Sequence, residues 1–418
     1  MIKKIKTNQL RVGAYVHDFN CSRSGGNIFI TQALIQTEKA IQILLSWGID
    51  EVFIDTEKGL DIKPGKSAIE VRQKIDRGLR QAALESRPKA PTTPLREELA
   101  IAKKIKEGAI KTMKQAMNAV ADGRAIDIDS TYRLVEKMEQ SINRNRDALH
   151  LLTRIRKKDE YTLMHSISVS SLVLAFCNYC DLPYDTTINL SIGALLHDIG
   201  KTQIPLRILN KPGKLTPHEQ AIIRKHTEYS ADAMAVTKDL PFEVFDIALH
   251  HHERHDGSGY PHGLKGDGIV FGSKVTSICD VFDAITSERC YKLGISRLAG
   301  LKKLYDLSDT HFDKELVYKF ISFIGVYPIG TCVKLENDLT GVVIDSTENV
   351  LQPVVRLFYN DKTKTAMQVR EIDLCKEGIN VACYESPADW DADKLQVYSN
   401  LKYALNPLHQ QSVLSMQM

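Results

Sequence analysis

No stretch of this 418-residue chain is apolar for long enough to span a bilayer, and the N-terminal MIKKIKTNQL has basic residues but no apolar run after them. A membrane span and a secretory leader are therefore not expected, and the chain is read as cytoplasmic. Net charge is also scarce. Fifty-five Lys and Arg against 52 Asp and Glu leave +3, too little for a nucleic-acid scaffold. Eight cysteines in a chain of this length do not make a disulfide framework, and a reducing compartment keeps them as thiols. Cys177 and Cys180 form a CxxC inside the apolar SLVLAFCNYC with no second such pair, so two buried thiols one turn apart outweigh a redox or zinc site. No internal repeat is detectable.

The chain has 43% hydrophobic and 26% charged residues, the balance of a soluble globular protein, and its length asks for two or three domains. Residues 1–85 mix short β-like runs (AYVHDF, NIFI, EVFID) with the amphipathic TEKAIQILLSWGID, which predicts a small α+β domain. Residues 86–94 are proline-rich and polar, as in a linker. Residues 95–158 have helical spacing broken at Asp122-Gly123, which predicts two helices joined by ADGRAIDID, either a connector able to pair in a homodimer or a flank of the next core. Residues 159–326 are helical throughout, with Gly/Pro breaks at DLPYD, NKPGKLTP and DGSGYPHGLKGDG. Residues 327–405 carry short β-branched strands (GTCVKLEN, TGVVIDS, PVVRLFYN, AMQVREIDL) and a last helix at DWDADKLQVYSNLKYAL, and 406–418 form a polar tail. The fold class is mainly α, with small α+β and β-rich domains on either side of a helical core.

Histidines and aspartates are concentrated in that core: His165, His197-Asp198, His226, His250-His251-His252 and Asp280, each in an apolar helix-like setting. Imidazole nitrogen and carboxylate oxygen are ligands for first-row divalent metals, and so many convergent ones point to a metal-dependent hydrolase. A lone His165 would more often be a satisfied core residue, but the other clusters reverse that weighting. His197 and Asp198 stand where an apolar helix ends, so both can aim into one cleft. Burying that pair without a cation would cost several kcal/mol. Thr216-Pro217 with Glu219 marks a helix start, and His226 is placed on the later turns of that helix. Consecutive helical residues point about 100° apart, so two of His250, His251 and His252 can serve a metal pair and not all three. Asp280 and Asp283 lie about one turn apart, with Arg289 and Lys292 downstream to suit an anionic substrate.

The combination of HDIGK, HHERHDGSGYP and DVFDAITSERCYK over residues 159–325 resembles the HD-GYP family of cyclic dinucleotide phosphodiesterases. The resemblance implies a helical HD-domain core whose metal ligands are His165, His197, Asp198, His226, His251, His252 and Asp280, with Asp198 bridging. His250 and His255 are left out. It implies Lys201 and Asp198 as catalytic residues, and Asp283, Arg289, Lys292 and the Gly259-Tyr260-Pro261 loop as substrate contacts. The same loop is implied as a docking point for the GGDEF proteins that make cyclic di-GMP. Tyr161 stands where three-metal members have glutamate, so a dinuclear centre of iron or manganese is expected. His255 and Cys290 replace the usual tryptophan and proline beside substrate-contacting motifs, which loosens the reading of base selectivity. The implied reaction is hydrolysis of cyclic di-GMP to pGpG, with GMP as a further product, by a metal-bridged hydroxide. Alternatives are 3′,3′-cyclic GMP-AMP as substrate, or a catalytically silent cyclic dinucleotide receptor. LRVGAYVHDFN and LLSWGIDEVFIDTEKG resemble a domain often found before such cores, and no receiver-type phosphoacceptor pattern is present there.

Overall fold

The computed structural model describes residues 2–18, 32–46, 49, 51–63, 66–67, 77–79, 81, 92–153, 161–211, 213, 215–287, 296–347, 349, 351–385, 387 and 390–405. Two compact units emerge, Met1–Gly78 with Pro205–Ile223, and Leu79–Ile204 with Arg224–Met418. No helix among the described residues is long and apolar enough to cross a membrane.

In the first unit, strands β1 (Ile2–Lys6), β2 (Tyr15–Asp18), β3 (Ala33–Leu34), β4 (Glu51–Asp55) and β5 (Lys66–Ser67) form an antiparallel sheet in the order β3-β2-β4-β1-β5. Helix α1 (Glu38–Ser46) adds Ile41 and Leu44 to a core with Ile5, Val16, Val52 and Ile54. Alternation along β4 puts Val52 and Ile54 on one face, the period-2 signature of a half-buried strand. This is an α+β fold, with β2 and β4 at the AYVHDF and EVFID runs; the NIFI run lies outside the described residues.

The second unit is built around helices. Helices α2 (Leu95–Ala121) and α3 (Ile128–Arg144) are joined at Gly123, whose φ of +67° suits a residue without Cβ. Buried Glu98 ties them together: it accepts from Ser141 Oγ at 2.6 Å and from Arg144 Nε at 2.6 Å. Next come α4 (Arg146–Thr153), α5 (Tyr161–Tyr179) and α6 (Tyr184–Leu196). Helix α5 is apolar or small on every side and packs against α2, α3, α4 and α6, as a helix without a polar face must. The stretch 95–153 thus packs onto the core as a flank rather than standing apart from it.

Helices α7 (Leu206–Leu209) and α8 (Pro217–Arg224) come next along the chain, in the segment Pro205–Ile223 that belongs to the first unit, and α8 opens on a capping box. Thr216 N donates to Glu219 Oε2 at 2.7 Å, and Glu219 N donates to Thr216 Oγ1 at 3.2 Å. The helix then breaks at Lys225, so His226 is not on its later turns but opens α9 (His226–Ala235). The physical reason lies in the packing. A Cβ on Gly200 would come within 2.3 Å of the His226 carbonyl, so the turn after Asp198 is pressed onto the start of α9 and fixes where that helix begins. Helices α10 (Phe242–His250), α11 (Phe271–Thr286), α12 (Arg297–Asp306) and α13 (Lys314–Ile324) complete the helical part.

After Ile324, strands β6 (Cys332–Leu335), β7 (Leu339–Asp345), β8 (Val354–Asn360) and β9 (Thr365–Asp373) form an antiparallel meander, matching the four predicted runs. The short helix α14 (Leu374–Glu377) and strand β10 (Val381–Glu385) come next, giving sheet order β10-β6-β7-β8-β9. Strand β10 was not anticipated. Helix α15 (Ala392–Leu405) packs on β8 and β9.

Candidate metal centre

Five elements bring their histidines and aspartates to one place. His165 projects from α5. His197 caps α6, and its Nδ1 donates to the Ala194 carbonyl at 2.7 Å, which turns Nε2 inward. Asp198 follows in a 3-10 turn whose Gly200 N–H donates to Ser230 Oγ, while Ser230 donates to the His197 carbonyl, both at 2.8 Å. His226 opens α9. His251 caps α10 and donates from Nδ1 to the Ile247 carbonyl at 3.0 Å, again aiming Nε2 inward, and His252 is next to it. Asp280 comes from α11.

Two groups result, Asp198 with His226, His251 and His252, and His165 with His197 and Asp280, and within each the candidate ligand atoms lie within 4.8 Å of one another. Asp198 faces both. Its Oδ1 is 3.3 Å from His226 Nε2 and 3.9 Å from His251 Nε2, while its Oδ2 is 3.3 Å from His197 Nε2 and 3.8 Å from His165 Nε2. This is the placement a bridging carboxylate needs. All seven ligands suggested by the resemblance fall into these two groups, and His250 and His255 fall outside them.

The residues fit a divalent cation on chemical grounds. Asp198 is 1% exposed, yet its Oδ1 has no hydrogen-bond partner, and neither has the buried Nε2 of His197. Such atoms are costly unless something satisfies them, and a cation held by each group would do so. Charge is arranged to match. Burial pushes the Asp198 carboxyl up, but Lys201 and His197 outweigh it and hold the group well below the usual range. Burial is likewise outweighed at Asp280 by its hydrogen bond from His165. Burial and His226 bring His252 down to about 3, and burial with His252 holds His251 well below its ordinary value, so both rings stay neutral, the form that ligates. His165 differs. Burial lowers it, but Asp280 at 2.9 Å and Asp283 at 2.6 Å raise it to about 9, so a metal must displace its proton.

Around the ligands lies a supporting shell. Asp283, expected to touch substrate, is instead 1% exposed: its Oδ2 accepts from His165 Nδ1 and its Oδ1 from Ser168 Oγ at 2.6 Å. The correction follows from helix geometry. One turn beyond Asp280, Asp283 lies behind the His165 ring and orients it. Lys201 pairs with Asp198 Oδ2 and is the more exposed partner, 22% against 1%. Tyr260 stacks at 4.8 Å on the His252 ring and has the Arg224 guanidinium 4.8 Å from its own ring centre. Gly259 tolerates no side chain, because a Cβ would sit 2.4 Å from Arg254 N. Pro261 follows it in the same loop. Arg289 and Lys292 lie outside the described residues, as does the Cys290 position.

Sequence reasoning missed two acids. Buried Glu253 accepts from the backbone N–H groups of His262, Gly263 and Leu264 at 2.7 to 3.0 Å, which clamps the segment after Pro261. Buried Asp246 accepts from His250 Nδ1 and Ser273 Oγ, both at 2.7 Å. An acid four residues before a histidine in an apolar helix was the available signal for the second.

Fold and site together define a class: a helical hydrolase domain with a His/Asp metal centre around a shared carboxylate. An HD domain profile matches residues 128–316, and a domain of unknown function (DUF3391) matches residues 2–131. A cyclic di-GMP phosphodiesterase of Pseudomonas aeruginosa is 32% identical over 381 residues, 90% of each chain. A cyclic di-GMP phosphodiesterase response regulator of Xanthomonas campestris is 34% identical over 46% of this chain and 51% of its own. A 3'3'-cGAMP-specific phosphodiesterase of Vibrio cholerae is 43% identical over 29% of this chain and 24% of its own. The chain belongs to the HD-GYP family of HD-domain phosphodiesterases.

Proposed function

We propose that this protein is a metal-dependent phosphodiesterase that hydrolyses cyclic di-GMP. The observation that carries the reading is the buried Asp198, placed between two His/Asp groups with one oxygen unsatisfied, in a chain similar over 90% of its length to a cyclic di-GMP phosphodiesterase. His165, His197 and Asp280 would hold one ion, and His226, His251 and His252 the other, with Asp198 bridging. When bound, such a pair lowers the pKa of water from ~15.7 towards neutrality and draws charge off phosphoryl oxygens.

The chain's own residues do the rest. Asp283 fixes the His165 ring, and the Ala194 and Ile247 carbonyls fix His197 and His251, so these three rings do not have to reorient during turnover. Lys201 carries a cation beside Asp198 where it can neutralise charge developing on the phosphoryl group. Burial and the charges of Asp198 and Asp280 push the Tyr260 phenol up, so it stays protonated and can donate to a substrate oxygen. Arg289 and Lys292, like Gly259 and Pro261 of the loop, are carried from the resemblance as substrate contacts. In this reading the ions are iron or manganese, the loop docks GGDEF-domain cyclases, and the enzyme works in the cytoplasm as a homodimer.

The test is hydrolysis by anaerobically purified protein supplied with Fe(II) or Mn(II), given cyclic di-GMP and 3′,3′-cyclic GMP-AMP in parallel, with the His197→Ala/Asp198→Ala variant as blank. Faster cleavage of cyclic di-GMP is expected. Faster cleavage of the mixed dinucleotide would favour the second reading, which rests on the 43% identity to the cGAMP-specific relative. Binding without cleavage by metal-loaded protein would overturn the enzyme and leave a receptor.

A further inference from the structure

His250, the histidine that neither group uses, is held as carefully as the ligands are. Its Nδ1 donates to Asp246 Oδ1 at 2.7 Å, and the other oxygen of that buried carboxylate is occupied by Ser273. With the proton on Nδ1, Nε2 presents a lone pair, and it lies 2.9 Å from Nδ1 of His262. His262 is exposed, but its backbone is fixed by the N–H it gives to Glu253 at 2.7 Å. Two imidazole nitrogens from separate elements therefore meet at the surface, one backed by a carboxylate. That backing is the usual companion of a metal-ligating histidine. With metal–nitrogen bonds of about 2.0–2.1 Å, two cis ligands stand roughly 2.9–3.4 Å apart; the observed separation falls in that range, and an ion entering there takes the place of the proton that His262 Nδ1 now gives to His250 Nε2, which moves to His262 Nε2.

We propose that His250 Nε2 and His262 Nδ1 form a second, peripheral site for a late first-row divalent ion such as Ni(II), Cu(II) or Zn(II), with water completing the coordination. Paired imidazoles suit these ions better than Mg(II) or Ca(II), which take oxygen. Binding there ties the end of α10, which leads into His251 and His252, to the segment after Gly259-Tyr260-Pro261.

The test compares full-length chains whose own centre has been filled with the same metal, so that any difference isolates the surface pair. Ni(II) is added, excess is removed by desalting, and bound nickel is counted. The wild-type chain should retain one equivalent more than His262→Gln, whose ring is exposed and whose loss leaves the clamp at Glu253 intact. His218→Gln, which removes another exposed histidine, should retain the extra equivalent. Asp246→Asn should weaken retention about 10–100-fold rather than abolish it. With Cu(II), electron paramagnetic resonance should resolve two imidazole nitrogens in wild type and one in His262→Gln. Equal nickel retention by wild type and His262→Gln, or the same copper spectrum from both, would overturn the site.

Discussion

The chain buries charge in two places and treats it in opposite ways. Where α15 packs on the C-terminal sheet, its Lys394 is 5% exposed at the side chain and gives its ammonium to Asp361 Oδ1 and Glu385 Oε2, both at 2.6 Å, and to Thr340 Oγ1 at 2.9 Å. Trp390 donates to the same Glu385 oxygen, and the ammonium also lies over the Tyr359 and Trp390 rings. That cluster is closed. At Asp198 the surrounding His197, His226 and His251 are just as deeply buried, yet the Asp198 Oδ1 and the His197 Nε2 are left without hydrogen-bond partners. A closed cluster fixes a helix on a sheet, whereas an open one is built to be completed from outside.

Breaking the open cluster should have the largest effect. Asp198→Asn removes the shared carboxylate, so bound metal should fall by at least one equivalent and turnover should drop to that of stripped protein. A variant with full metal content and turnover would erase the contrast. Lys394→Met makes the opposite change, leaving Asp361 and Glu385 without their cation at a cost of about 3–5 kcal/mol. Urea unfolding should show it, with metal per folded chain unchanged. Asp283→Asn tests the shell: with no ligand altered, metal affinity or turnover should fall by roughly 10–100-fold, read by chelator competition.

The smallest effect sharpens the comparison from a third place. Burial and nearby Asp147 raise the Asp345 carboxyl to about 6. The folded chain therefore holds a proton there that the unfolded chain, at an ordinary 3.8, has released. The resulting stabilisation is full below the ordinary value and is lost as pH rises through about 6. Asp345→Asn should stabilise the protein by on the order of 1–2 kcal/mol at pH 7.5 and by much less at pH 4. Equal shifts at both pH values would show that Asp345 titrates normally.

Much of the fold was legible. Period-2 runs marked β6 to β9, and the Thr216/Glu219 pair marked the start of α8, because these signals act within a few residues. Strand β10 and the break at Lys225 were not, because each is decided by a neighbour far along the chain: β6 for the first, and the turn at Gly200 for the second. The seven clustered His and Asp residues were legible by type and grouping. Asp283 was misread because spacing gives the turn a residue occupies and not what lies behind it.

The sequence by itself determined the chemistry available: neutral imidazoles and carboxylates at helix ends, too many to be idle, in motifs that resemble one family. Only the tertiary structure decided the division of labour among them. Whether a carboxylate bridges, orients a histidine or clamps a loop depends on which atoms meet across elements up to 118 residues apart, as at His165 and Asp283. Local spacing does not encode that meeting; the packing of α5 against α11 does.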